Sequence, residues 1–276
     1  MQALSLAEIA ELVEANEANR FRTTLACAPP EFAAQYGLSQ HEIGGATAFC
    51  IEKLPSPVFN RVIGLGLRQP ATEAMIDALI AFYERAQTSF GISVSVAARP
   101  AQLPAWLLAR GFQCGDNWAK MIRNADPPTQ IDATLRIERI NESKAALYAT
   151  FIRTGFQLPA WYGSLCERLI EQPNVYAYLA FMEDVPVGTG TLLVSDRVGT
   201  LYNGVTQPAY RRRGVQQALM VRRIQDGIGL GCRWFTTETI EDTPEKPNPS
   251  YHNMVRSGFQ LAYLRPNYIY SNSASQ

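Results

Sequence analysis

Tyr210-Arg211-Arg212-Arg213-Gly214-Val215-Gln216-Gln217 lies between an apolar stretch with strand character, residues 200–206, and a segment with the period of an amphipathic helix. Its groups favour one chemistry, the holding of phosphate. The first turn of a helix leaves backbone N–H groups without partners and carries partial positive charge, so anions bind there. A glycine removes the Cβ that would keep a ligand from the backbone, and guanidiniums add charge-assisted bonds to phosphate oxygens. Pyrophosphate is the natural guest. The run by itself also admits a plainer reading, a solvated arginine turn with Gly214 as spacer.

The elements that must position this turn are legible on both sides. Residues 201–208 read as a strand closed by Pro208, which cannot donate to a ladder. Downstream, Ala218, Val221, Ile224 and Ile228 fall on one helical face and Arg222, Arg223 and Asp226 on the other. Residues 232–237 are strand-like and residues 248–257 suit a short helix. Gly258-Phe259 then opens a final strand reaching Tyr270. Gly227, Gly229 and Gly231 are read as a helix C-cap and loop, on the wrong side of a strand for phosphate.

Strand, Arg-x-x-Gly turn, helix, strand, helix, Gly-Phe and strand resemble the acetyl-CoA half of the GNAT superfamily of N-acetyltransferases. The family turn reads Gln or Arg, two residues, Gly, one residue, then Gly or Ala; here it is Arg211-x-x-Gly214-x-Gln216. Gln216 replaces a small residue, which either narrows the space beside the pyrophosphate or supplies an amide donor.

The chain has 276 residues, 47% of them hydrophobic, enough for two units with sizeable cores. Lys plus Arg and Asp plus Glu each number 25, so the triple arginine is a local site on a neutral chain; this argues against a nucleic-acid partner. The five scattered cysteines lack a C-x-x-C pair and point to a reducing, cytoplasmic compartment. Neither a signal peptide nor a bilayer-spanning apolar run is read, and no ligand spacing suggests a metal.

A second copy of the same order precedes the first. Residues 59–67 read as a strand and residues 72–87 as a helix with Met75, Leu79, Phe82 and Ala86 on one face. A strand at 91–97, a short helix at 104–110, Gly111-Phe112 and a strand end at 118–123 follow. The fold class expected is therefore α/β (α+β layered): two tandem GNAT-like units, each a mixed, mostly antiparallel twisted sheet flanked by helices. The division falls near Asp126-Pro127-Pro128-Thr129, giving a degenerate unit at residues 1–126 and an N-acetyltransferase domain at 127–276. In the first, residues 67–72 carry no Arg-x-x-Gly, and Pro70 removes a donor. Gly64 and Gly66 lack the third glycine of a dinucleotide fingerprint and suit a bulge or close packing.

The resemblance also implies a substrate half: a strand at 135–140, helices at 144–155 and 158–171, and strands at 175–181 and 188–194. The loop between the two helices covers the acceptor in the family; here Phe156, Trp161 and Tyr162 would line it, joined by Asn203 on the strand before the turn. Packing between the helices is the competing role for Phe156.

Acetyl transfer to an amine requires a neutral nitrogen, so a base must accept a proton from an ammonium of pKa about 10.4. By resemblance, Gly204, Val205 and Thr206 pair with the pantetheine arm and present a backbone donor to the oxyanion. Arg211, Arg212, Arg213, Gly214, Val215, Gln216 and Gln217 hold the pyrophosphate, with Asn248 and Ser250 along the cofactor. Many members place a tyrosine acid four residues before the Gly of Gly-Phe, where this chain has Met254. Tyr251 is then the candidate acid and Glu238 the candidate base, each against a bland alternative: packing or surface for Tyr251, a solvated turn carboxylate for Glu238.

The function expected is acetyl-CoA-dependent N-acetyl transfer to a small amine, amino acid or peptide amine, in a monomer or homodimer away from membranes. A non-catalytic acyl-CoA-binding module is the alternative.

Overall fold

The computed structural model describes residues 4–129 and 135–272. The first unit begins with α1 (Leu6–Ala26), opened by a capping box in which Ser5 and Glu8 satisfy each other's backbone N–H. Then come α2 (Pro30–Tyr36), β1 (Leu38–Ile43), β2 (Ala46–Ile51), β3 (Arg61–Ile63), α3 (Glu73–Arg85), β4 (Phe90–Ser93), α4 (Leu103–Ala109) and β5 (Gln113–Cys114), followed by β6 (Trp118–Asn124), within which the chain passes to the second unit. The second unit holds β7 (Leu135–Arg139), α5 (Ala145–Gly155), α6 (Tyr162–Leu169), β8 (Val175–Met182), β9 (Val185–Ser195), β10 (Val198–Thr206), α7 (Val215–Gly229), β11 (Trp234–Ile240) and α8 (Pro249–Arg256). β12 (Gln260–Arg265) and β13 (Asn267–Tyr270) close the chain.

These strands form two sheets. One runs β1-β2-β3-β4-β13-β5 and the other β12-β6-β11-β10-β9-β8-β7. Each is mixed and mostly antiparallel and contains a parallel pairing across a helix, β3 with β4 and β10 with β11. Two mixed sheets flanked by helices are the architecture expected from the sequence.

The division expected at residue 126 does not coincide with the compact units, which are residues 1–120 with 262–276, and 121–261. Pro266 ends β12, and the segment after it completes the first sheet: Asn267 to Tyr270 lie opposite Ser93 to Phe90 on β4, and Tyr268 opposite Cys114 on β5. Arg265 anchors the same segment, donating to Glu14 at 2.8 Å and to Glu17. The single strand expected from Gly258 to Tyr270 is thus two strands in different sheets, because proline breaks the ladder.

Within the first unit the apolar face of α3 is centred on Ile76, Leu79 and Tyr83, with Met75, Phe82 and Ala86 at its margin. β3 stops at Ile63, shorter than the strand expected, because Gly64 and Gly66 take positive φ of 87° and 82°. A Cβ on Gly66 would stand 2.6 Å from the Arg99 carbonyl oxygen, so this glycine serves close packing.

The Gly-Phe steps are built alike in both units. After α4, the Phe112 N–H bonds the Leu107 carbonyl at 3.2 Å and Gly111 that of Leu108; after α8, Phe259 bonds Met254 at 3.1 Å and Gly258 bonds Val255. Both are Schellman closures with glycine at φ near 85° and 82°. Leu107 and Met254 occupy the same place and are both buried. Met254 is therefore a core residue.

Candidate functional site

The second unit opens where β10 and β11 part. Their parallel pairing covers only Val198↔Trp234 to Thr200↔Thr236, although β10 continues to Thr206 and β11 to Ile240. On its other side β10 carries a bulge against β9: register passes from Tyr202↔Thr191 to Val205↔Thr189, so Asn203 and Gly204 face Gly190 alone. Asn203 takes φ of 53°. A bulge frees backbone groups from the ladder and re-aims the strand.

The turn follows. Gly214 is the N-cap of α7 at φ 76°, a conformation that costs an L-residue roughly 1–2 kcal/mol, and no side chain caps this helix. Nothing lies within 4 Å of where a Cβ on Gly214 would be. Among the described residues, no acceptor meets the backbone N–H groups of residues 212–217. Arg211, Arg212 and Arg213 are exposed. Arg213 leans over the Tyr210 ring, its guanidinium carbon 5.6 Å from the centroid, and donates to Met182 Sδ at 3.6 Å. Open N–H groups, the unfilled space at Gly214 and the exposed side chains of Arg211 and Arg212 are groups of the kind that hold a phosphate.

Val215 packs against Gly188, whose missing Cβ would stand 2.6 Å from Val215 Cγ1 and 2.8 Å from the Val205 carbonyl oxygen. Strand and helix start are thereby held together. Gln216 adds a direct tie: its Nε2 donates to Thr206 Oγ1 at 2.9 Å, and its Oε1 lies 2.8 Å from where a Cβ on Gly204 would be. The extra amide is thus turned onto the strand and narrows the slot beside it. Gln217 is half-buried in the first turn of α7.

The remaining candidates separate into those the fold brings to this opening and those it employs elsewhere. A Cβ on Gly155, at the end of α5, would stand 2.5 Å from Val205 Cγ1, so the α5–α6 loop starts directly over β10. On that loop Phe156 is 49% exposed, Trp161 is half-buried, and Tyr162 is buried in the first turn of α6. Of the three, Phe156 is the most exposed and Tyr162 the most buried. Alternation along β11 puts Glu238, half-buried, on the face of Thr236 and opposite Phe235, which packs against Gly199 and Gly227. Gly227 consequently belongs inside α7, not to its C-cap, since a Cβ there would come within 2.4 Å of the Phe235 ring.

Asn248 is engaged locally. Its Oδ1 caps α8 through the Ser250 N–H at 3.0 Å, and its Nδ2 donates to Thr239 Oγ1 at 2.9 Å and the Ile240 carbonyl at 2.6 Å. Ser250 is exposed, and the Tyr251 ring stands edge-on to His252 with centroids 5.9 Å apart. His252 Nε2 faces Asp242 at 3.2 Å.

Residues not anticipated as part of the site hold the bulge from behind. Asn203 Nδ2 donates to the Tyr148 hydroxyl at 3.1 Å, which shares a 2.5 Å hydrogen bond with Thr191 Oγ1. Burial, then Cys166, raises the Tyr148 phenol above its ordinary value, so it stays protonated. Arg223, expected on the outer face of α7, is instead 2% exposed. Burial pulls its guanidinium down to about 10. The only advance signal was the Gly188-Thr189-Gly190 run, whose small residues leave room on β9.

Residues 125–242 match the family model described as an acetyltransferase (GNAT) domain. No curated protein matches the sequence. Among solved structures, a GCN5-related N-acetyltransferase from Kribbella flavida is 14% identical with a TM-score of 0.61, over 84% of this chain and 88% of that one. A tandem GNAT protein from the clavulanic acid biosynthesis pathway is 15% identical with a TM-score of 0.61, over 91% and 88%. A GCN5-related N-acetyltransferase from Sphaerobacter thermophilus is 12% identical with a TM-score of 0.59, over 82% and 80%. At these identities the likeness is one of fold, and it extends over both units. No helix among the described residues is long and apolar enough to cross a membrane.

Proposed function

We propose that the chain, whose residues 125–242 match a GNAT acetyltransferase domain model, uses acetyl-CoA to acetylate a primary amine by direct attack within a ternary complex. The observation that carries this reading is the start of α7: uncapped, glycine-led, with the N–H groups of residues 212–217 unoccupied beside a splayed strand. Pyrophosphate takes those groups together with Arg211 and Arg212. The pantetheine arm runs along Gly204, Val205 and Thr206, which sets the thioester carbonyl against the bulge. The amine enters beneath the α5–α6 loop, past Phe156 and Trp161, with Asn203 beside it.

Attack forms the C–N bond and places negative charge on the carbonyl oxygen, where backbone N–H groups of β10 stabilise it. Collapse breaks the C–S bond and releases CoA thiolate. Glu238 accepts the amine proton directly or through water, and Tyr251 or water protonates the thiolate. The acceptor is a small amine, an amino acid or a peptide amine.

Two observations favour a second reading, an acyl-CoA-binding module without turnover. Met254 is a buried core residue where many members have an acid, and Gln216 narrows the slot. CoA release over an amine panel, measured with a thiol reagent, separates the two: release above background supports the enzyme, and tight acetyl-CoA binding with no release supports the module.

A further inference from the structure

Arg223 lies on α7, beneath the sheet. Its Nε donates to the Leu219 carbonyl one turn earlier at 2.9 Å. Nη1 donates to the Thr191 carbonyl at 3.1 Å and to the Tyr202 carbonyl at 3.3 Å. Thr191 and Tyr202 are the last register partners before the bulge. One guanidinium nitrogen therefore bridges β9 and β10 where their ladder fails. It fits only because Gly190 has no side chain: a Cβ there would stand 2.7 Å from Arg223 Cζ.

A buried cation ordinarily finds a carboxylate; the hydrogen bonds of this one go to neutral carbonyls. Such bonds are charge-assisted and polarise what they touch. The Tyr202 carbonyl belongs to the same planar peptide as the Asn203 N–H, the first N–H of the bulge. Electron withdrawal at the oxygen end makes the nitrogen end a stronger donor. Asn203 is itself fixed at positive φ, its side chain tied through Tyr148 to Thr191.

We propose that Arg223 is a positioning and polarising residue: bridging Thr191 and Tyr202 through the gap left by Gly190, it holds the β10 bulge and strengthens its backbone donors toward the thioester carbonyl. Arg223 touches neither substrate; it acts through the Tyr202–Asn203 peptide. The inference rests on the reading of β10 as the thioester-binding strand.

Infrared difference spectra of acetyl-CoA labelled with carbon-13 at the carbonyl test it, alongside calorimetric titrations of CoA. Wild-type protein is expected to bind CoA and to lower the bound carbonyl stretch relative to free acetyl-CoA. In Arg223→Met, CoA affinity should stay within about twofold, the shift should fall by more than half, and thiol release with any accepted amine should drop about tenfold in kcat. Arg223→Lys, which keeps the charge on a head without the planar fork, should fall between the two. An undiminished shift in a folded Arg223 variant that binds CoA overturns the proposal. So does an undisplaced stretch in CoA-binding wild-type protein, a result that no failure of the variants to fold can obscure. Absence of CoA binding by the wild type defeats the reading of the site itself, and the inference with it.

Discussion

Helix α3 of the first unit and helix α7 of the second each follow the strand that leads into their sheet's parallel step, yet their N-termini are finished in opposite ways. At α3 the protein supplies the partners. Thr72 Oγ1 accepts the Met75 N–H at 3.3 Å, the Ala71 N–H goes to the Arg99 carbonyl at 2.7 Å, and Pro70 has no N–H to satisfy. At α7 the cap is a glycine, no side chain answers the first-turn N–H groups, and the space in front is open. A helix end can spend its donors on its own cap or keep them for an anion. The first unit has done the former; in the second the donors stay uncapped.

The first unit also concentrates buried charge: Glu17 accepts from Arg61 at 2.7 Å, Lys120 at 2.7 Å and Arg265, all deeply buried. Breaking this cluster should give the largest effect. Glu17→Gln leaves three cations short of a partner, and urea titration should show a loss of about 3–5 kcal/mol. The pH dependence follows from the same group. Burial opposes its ionisation, but Arg265, Lys120 and Arg61 together hold the Glu17 carboxyl well below its ordinary value. Its contribution is therefore present above the unfolded pKa of about 4.3 and is lost as pH falls through the folded value. Acid unfolding monitored by circular dichroism should begin below about pH 5, and the variant should show a flatter acid limb.

Gly214→Asp attacks the other side of the comparison. The side chain enters the open space with a like charge, and calorimetry should show CoA affinity reduced more than about a hundredfold. Unchanged affinity would sink the assignment of the turn. Thr72→Ala, at the corresponding end of α3, should instead cost about 1 kcal/mol of stability by thermal melting and leave CoA affinity alone. The smallest effect sharpens the second turn: Gln216→Ala removes the amide that closes on Thr206. Acetyl-CoA should then bind about fivefold tighter, the worth of one neutral hydrogen bond that no longer has to be broken; weaker binding would instead identify Gln216 as a donor to the ligand.

Much of this was readable in advance because it is local. The strand-turn-helix around Gly214 is set by short-range residue types, and both Gly-Phe closures follow from glycine's tolerance of positive φ. Other features depend on partners far along the chain. Periodicity placed Arg223 beside Arg222 on a polar face, since a helical wheel sees an arginine and cannot see that Gly190 leaves a hole for it. Residues 1–58 yielded no elements on reading, yet α1, with Glu14 and Glu17 on its buried face, receives Arg265 from the other end of the chain. Tyr162 is buried in the first turn of α6, a degree of burial that depends on which elements pack against that helix.

By itself the sequence determined that a glycine-led, arginine-rich helix start occurs once, and that the elements around it are repeated without it, because turn and cap chemistry acts over a few residues. Tertiary structure alone decided which donors stay open, where Gln216 turns its amide, which arginine is drawn into the sheet, and that the last segment belongs with the first. Those outcomes depend on which distant atoms fill a space or accept a hydrogen bond, and no local pattern carries that information.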